Sequence, residues 1–231
     1  MRRVIDNKKL EYYISRYHIG DIFELEMKQY MELFLFNKNE YICKTDEKLE
    51  YLFFFVEGKA KVYSTLSNGK SLLLCFYKPF KVLGEVEFMH YETANSNVQI
   101  IEDTYCIGIS FENIRRFALH DSRFLRYACD SLGEKLIRLS KYSSINLLYP
   151  LENRLASYIL AYTSKTVSEG RNIIVFEGNL SEVAELLGTS YRHLLRTLND
   201  LCTKEIIKKN LHVYEILDLE KLKKLAGDLY E

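Results

Sequence analysis

NLSEVAELLGTSYRHLLRTLNDLC, residues 179–202, carries two helical patterns separated by one glycine. Asn179 stands where a cap belongs, and Glu182, three residues on, completes a capping-box arrangement. Val183, Leu186 and Leu187 give the first helix an inward face, and Ala184 is small enough to let a second helix approach. Gly188 ends that helix where a left-handed turn favours a residue without Cβ. Ser190 is placed to cap the second helix, whose core stripe is Leu194, Leu198 and Leu201. Tyr191, Arg192, His193 and Arg196 are left facing outward.

Working outward, EIIKKNLHVYEIL (205–217) reads as a hairpin and DLEKLKKLAG (218–227) as a small closing helix. Upstream, LENRLASYILAYTSK (151–165) reads as a helix and RNIIVF (171–176) as a short strand. Helix, turn, helix and then hairpin is the order of a winged helix-turn-helix. The N-terminal half of such a second helix enters the major groove, where an arginine fork can take guanine O6 and N7 together. Arg192 or Arg196 fits that role, while Tyr191 and His193 offer phosphate or thymine-methyl contacts. Ser181, Thr189 and Ser190 join them as DNA-contact candidates, and Lys208 and Lys209, expected at the hairpin tip, would hold flanking phosphates.

Residues 121–148 form one long helical pattern. Leu125, Leu132, Leu136 and Leu139 recur at helical spacing, Cys129 and Ser143 continue the seam, and Arg123, Arg126, Lys135, Arg138 and Lys141 lie mostly off it. So narrow a stripe suits helix against helix, although a helix packed on its own domain produces a similar pattern. Pro150 ends or kinks it. Before it, LFLF, EYLFFFVEG, AKVYSTL, SLLLCFY, NVQII and YCIGIS are strand-like, punctuated by Glu57-Gly58 and by the turn Ser67-Asn68-Gly69-Lys70. Many short strands without intervening helices imply a sandwich, barrel or roll. The first thirty residues look helical, with Leu10, Tyr13, Ile14 and Tyr17 at helical spacing.

Across 231 residues, 32 Lys+Arg balance 32 Asp+Glu, so no global basic field attracts nucleic acid and any affinity must come from a local patch. The chain start has no apolar core for a signal peptide, and no apolar stretch is long enough for a bilayer span. Cys43, Cys75, Cys106, Cys129 and Cys202 are scattered without a C-x-x-C pair, which reads as buried thiols in a reducing cytoplasm and not as a disulfide framework.

With these motifs in place, the chain resembles the Crp/Fnr family of bacterial regulators over essentially its whole length. LSEVAELLGTSYRHLLRTLNDLCTKEII is similar to that family's helix-turn-helix, and EYLFFFVEGKAKVYSTLSNGKSLLLCFYKPFKVLGEVEF to its cyclic-nucleotide-binding-type β-roll. The resemblance implies an α+β fold: a double-stranded β-helix, jelly-roll-like, over 1–118, a dimerisation helix over 119–149 and a winged helix-turn-helix over 150–231. It also implies a homodimer on double-stranded DNA with inverted-repeat sites, a seam of Leu125, Cys129, Leu132, Leu136 and Leu139, and RNA polymerase as a further partner of an activator.

The departures bear on the effector. In relatives that bind cyclic AMP, Gly-Glu is followed by an arginine pair member that holds the cyclic phosphate. Here Gly84-Glu85 remain, but the later stretch is Thr93-Ala94-Asn95-Ser96-Asn97, with no arginine. A buried phosphate without a cation is costly, so the reading is against cyclic AMP; a different small effector could touch Gly84, Glu85, Ser96 and Asn97. The N-terminal cysteine cluster of the oxygen-sensing branch is missing, and His18, His90 and His120 are isolated, so neither an iron–sulfur cluster nor haem is expected. Tyr191-Arg192 replaces the family's frequent Arg-Glu pair, which predicts a different half-site, and Glu205 stands where many relatives have a glycine before the wing. Two rival readings are a β-roll module that regulates a partner protein and an enzyme built on Glu85, Glu87 and His90. Catalysis lacks a second motif supplying a nucleophile or further ligands.

Overall fold

The computed structural model describes every residue except Tyr91, Glu92, Glu169, Gly170, His212, Asp228 and Glu231. The chain divides into two units, residues 1–64 with 76–139, and residues 65–75 with 140–231.

In the first unit, β1 (Arg2–Val4) leads into α1 (Asn7–Arg16), whose N-terminus is capped by the Asp6 side chain. The helix expected over the first thirty residues is confined to α1: His18, at φ 52°, turns the chain into two short 3₁₀ segments. Then come β2 (Glu32–Phe36), β3 (Tyr41–Cys43), β4 (Tyr51–Thr65), β5 (Ser71–Tyr77), β6 (Lys81–Leu83), α2 (Glu85–His90), β7 (Asn97–Ser110) and α3 (Phe111–Phe117). The sheet order is β1-β2-β7-β4-β5, with β3 on β7 and β6 on β4. This is a β-roll.

Two expected strand breaks are absent. EYLFFFVEG and AKVYSTL are one strand, β4, and NVQII and YCIGIS are one strand, β7. The chain passes Glu57-Gly58 without turning back, because the irregularity is absorbed as shifts in the β4–β7 register between Phe55 and Ala60. Gly58, at φ 101°, lies in that stretch, where a Cβ would come within 2.3 Å of Thr104 Oγ1 and 2.6 Å of the Asp103 carbonyl oxygen. The unbroken Leu52-Phe53-Phe54-Phe55-Val56 run reflects burial on both faces. Leu52, Phe54 and Val56 join Phe23, Phe88, Ile107, Ile114 and Phe124 in one core, while Phe53 meets Phe34 and Phe36 edge to face.

Helix α4 (Ser122–Leu148) starts on Asp121, a buried carboxylate. Its Oδ1 accepts the Arg123 and Phe124 N–H groups at 3.0 Å each, and its Oδ2 accepts the Glu24 N–H at 2.7 Å. One side chain thus caps the helix and pins the N-terminal segment beside it, where Phe23 stacks on Phe124.

The second unit takes the end of α4 and then α5 (Leu151–Tyr162), which begins directly after Pro150. Helix expected to reach Lys165 stops at Tyr162: the Thr163-containing segment β8 (Thr163–Ser168) pairs with β9 (Arg171–Phe176) instead. Next come α6 (Leu180–Leu186), α7 (Tyr191–Thr203), β10 (Ile207–Asn210), β11 (Val213–Ile216) and α8 (Leu219–Ala226), with sheet order β10-β11-β9-β8. Leu155, Ile159, Phe176, Leu187, Leu194, Leu198, Leu201 and Leu222 are buried. The 65–75 hairpin tip belongs to this unit: the Ser71 N–H donates to Glu185 Oε1 at 2.9 Å, and Asn146 Nδ2 donates to the Leu73 carbonyl at 3.2 Å. Among the described residues no helix is long and apolar enough to cross a membrane.

Gly58→Ala should destabilise the roll by about 2–4 kcal/mol, since it adds both a left-handed backbone penalty and an overpacked contact. Urea unfolding of the purified chain would register this as a lower midpoint.

Candidate nucleic-acid interface

Local rules build the helix pair. The Asn179 side chain accepts the Ser181 and Glu182 N–H groups, at 3.0 and 3.4 Å. Gly188, at φ 60°, follows the end of α6, and the Thr189 N–H returns to the Ala184 carbonyl at 2.9 Å. Ser190 then caps α7 by accepting the His193 N–H at 3.2 Å. These are the capping and turn roles expected of Asn179, Gly188 and Ser190.

The apolar stripe of α7 fixes which side chains face out. Leu194, Leu198 and Leu201 are buried, so Tyr191, Arg192, His193 and Arg196 stand exposed along the opposite side. Ser181 and Ser190 are exposed, and Thr189 Oγ1 lies 3.3 Å from His193 Nδ1, which ties the turn to the first turn of α7. Lys208 and Lys209 are both exposed, but they lie in β10, opposite Glu215 and Tyr214, and not at the hairpin tip; the tip falls beyond Asn210. Neighbouring strand residues point to opposite faces, so the two lysines serve different sides of the wing. Glu205, at φ 54°, adopts the left-handed conformation that a glycine would take at no steric cost. Together the helix-turn-helix and wing present hydroxyls, arginines and lysines on outward positions.

The long helix has two rows of interest. Phe124, Ala128, Tyr142 and Ile145 are buried and Ser131, Lys135 and Arg138 half-buried, a row with alternating steps of four and three. The expected seam is offset from it by one residue. Cys129 is exposed, Leu132 half-buried, Leu136 70% exposed and Leu139 49% exposed, whereas Leu125 packs partly against the β-roll core. Ile137, Leu147 and Leu148, at 72%, 80% and 79% exposure, were not in the expected set. Their signal was present in the sequence as large apolar residues continuing along an otherwise polar helix. The scattered cysteines are not uniformly buried either: Cys43, Cys75 and Cys106 are, but Cys129 stands on the outward side of α4 and Cys202 is half-exposed.

In the roll, Gly84 holds the chain so close to β4 that a Cβ would meet the Tyr51 carbonyl oxygen at 2.8 Å. Glu85 follows as the first residue of α2, so Glu85 and Glu87 do not share a strand face; two helical steps separate them by about 200°. The Glu85 carboxylate is 1% exposed; its Oε1 takes Lys135 Nζ at 2.5 Å and Ser131 Oγ at 3.0 Å. Burial pushes the nearby Glu87 carboxyl above the usual range, with the charge of Glu85 adding to the rise. Burial likewise pushes the Cys43 thiol up to about 12. Asn97 is buried and exchanges hydrogen bonds with Thr45, through its carbonyl to the Thr45 N–H and its amide to Thr45 Oγ1, while the Ser96 carbonyl faces Cys43 Sγ. The side chain of His90 lies outside the described residues. Among the described residues no group of three or more His, Cys, Asp or Glu side chains is placed to hold a metal ion.

Residues 33–121 match the family model of the cyclic nucleotide-binding domain and residues 153–225 that of the Crp-like helix-turn-helix domain. The chain is 31% identical over 209 residues to the regulatory protein YeiL of Escherichia coli O157:H7, covering 90% of this chain and 92% of the relative. Its fold is similar to that of a CRP-family transcriptional regulator from Thermus thermophilus, at TM-score 0.65 and 20% identity over 86% of this chain and 98% of that one. A CRP/FNR-family transcriptional regulator from the same organism gives TM-score 0.66 at 18% identity, over 86% and 100% of the two chains.

The raised Glu87 carboxyl has a consequence for pH. A carboxylate whose folded pKa is raised costs stability above that pKa and nothing once both states are protonated. Glu87→Gln should therefore raise the urea midpoint at pH 7, and the gain should vanish as pH falls through the carboxylate range.

Proposed function

The chain belongs to the Crp/Fnr family of transcription regulators, and from that premise we propose that it reads inverted-repeat double-stranded DNA as a homodimer. The observation that carries the DNA reading is the outward side of α7, where Tyr191, Arg192, His193 and Arg196 stand exposed behind a capped N-terminus. Arg196 or Arg192 takes a guanine edge, Tyr191 and His193 touch a thymine methyl or a phosphate, and Ser181, Thr189, Ser190, Lys208 and Lys209 hold the backbone. The absence of net charge makes this a contact-range recognition and not a long-range capture.

The homodimer reading rests on the apolar side of α4. Leu136, Ile137, Leu147 and Leu148 are exposed in the single chain, and pairing with a second copy of the same helix removes that surface from water. The posture of the paired helices then sets the separation of two recognition helices, so half-sites about one helical turn apart are read. The stretch 93–97 supplies no arginine for a cyclic phosphate, so cyclic AMP has no part in this reading and an effector in the roll would be of another kind. In an activator, RNA polymerase is a further partner.

Selection from a random duplex pool by the purified, ligand-free chain should enrich an inverted repeat with half-sites one turn apart. Arg196→Ala should then cost about 1–3 kcal/mol of specific binding and relax one position of the site. A flat pool with every chain preparation folded would remove the DNA reading and favour a β-roll that regulates a partner protein. Leu136→Lys should shift the chain from dimer to monomer in analytical ultracentrifugation; an unchanged sedimentation coefficient would refute the α4 seam.

A further inference from the structure

Within the first unit, the inward row of α4 is apolar at Phe124 and Ala128, yet polar at Ser131 and Lys135. Those two residues are one helical turn apart, and both reach the same oxygen, Glu85 Oε1. Their target is not a surface acid. Glu85 is 1% exposed, and its second oxygen, Oε2, is buried with no hydrogen-bond partner among the described residues. A carboxylate so placed is strongly disfavoured unless a cation comes with it, because removal from water is not offset by hydrogen bonds alone.

The cation comes from within the chain. Lys135 Nζ sits 2.5 Å from Oε1, its stem drawn in from a helix whose next turn carries the exposed Leu136 and Leu139. Tyr127, on the same helix, lies within the field of Glu85, and burial raises its hydroxyl pKa. Ser131 and Lys135 are thus the points at which the long helix is fastened to α2 by charge and hydrogen bonding, and Gly84 fixes where α2 begins.

We propose that Lys135 is the built-in ligand of the β-roll: its ammonium occupies the Glu85 carboxylate and sets the posture of α4 without any small molecule. The centre accepts an alkylammonium group and not a cyclic phosphate, in keeping with the missing arginine at 93–97. Its effect on DNA rests on the DNA-binding reading given above; its effect on the roll does not.

Removal of the lysine stem tests this by chemical complementation. In Lys135→Ala the atoms lost beyond Cβ are those of n-propylammonium, so that ion is the probe. Without it, Lys135→Ala should bind the selected duplex about tenfold more weakly than the wild type, within the ordinary range of coupling between two sites. Millimolar n-propylammonium, at constant ionic strength, should restore most of that affinity and raise the melting temperature of Lys135→Ala. It should do neither to the wild type or to Glu85→Gln/Lys135→Ala, which has no carboxylate at position 85 to receive it. The melting arm needs no DNA. If the wild type selects no duplex, the DNA reading fails, while a propylammonium-dependent melting shift confined to Lys135→Ala still upholds the centre. Equal DNA affinity of folded Lys135→Ala and wild type would overturn the proposal, as would absence of the melting shift. Tight cyclic AMP binding by the wild type that Lys135→Ala abolishes would overturn it too, since Lys135 would then serve the ligand and not Glu85.

Discussion

The antiparallel ladder between β4 and β7 is the constraint on which the rest of the roll depends. β7 also pairs with β2 and β3, and β4 with β6, so these two strands carry most of the sheet between them. Neither could stay straight over such a length and still enclose a core; the register shifts near Gly58 bend the pair where the missing Cβ admits Thr104. Once that ladder is set, the helices have little freedom. β7 runs directly into α3 at the Ser110 cap, and the close approach of Gly84 to Tyr51 fixes the start of α2. Asp121 then starts α4 beside the N-terminal segment. The position of the buried Glu85 is thus inherited from strand pairing, although the residue itself lies in a helix.

What was legible in the sequence follows the range of the interactions that decide it. The helix-turn-helix could be read almost residue by residue because caps, apolar stripe and turn glycine act over four residues or fewer. Asn179, Gly188 and Ser190 could be assigned roles without knowing any distant partner. The β-roll as a class was legible from its strand-like runs, but its strand boundaries were not. Glu57-Gly58 looks like a turn, and only the presence of Thr104 across the ladder makes it a bulge. The end of α5 was misplaced for a related reason: Thr163 joins a strand whose partner lies beyond the intervening residues.

The candidate site divides along the same line. Outward residues of α7 followed from the position of its leucines, whereas Lys208 and Lys209 were placed at the tip because the strand pairing that puts them in β10 is not visible locally. In α4, attention to leucines picked out the outward row and passed over the inward one, since Lys135 looks like any solvated helix lysine. The residue that gives it meaning, Glu85, is 50 positions away in the chain and buried by strands. Burial also separates residues that composition treats alike: three cysteines are enclosed, whereas Cys129 faces out on α4.

The outward leucines of α4 also bear on dose. Where a protein must pair with its own copy before it can engage a two-part site, its competent form grows as the square of total chain at low abundance, and linearly only once pairing saturates. In the proposed homodimer, Leu136, Ile137, Leu147 and Leu148, exposed in the single chain, would therefore set more than the strength of a contact. Through the dissociation constant they would confer, they would decide the level of synthesis at which site occupancy stops rising steeply and begins to plateau. A change of one methylene in that row would move the threshold of the response while leaving every base contact untouched.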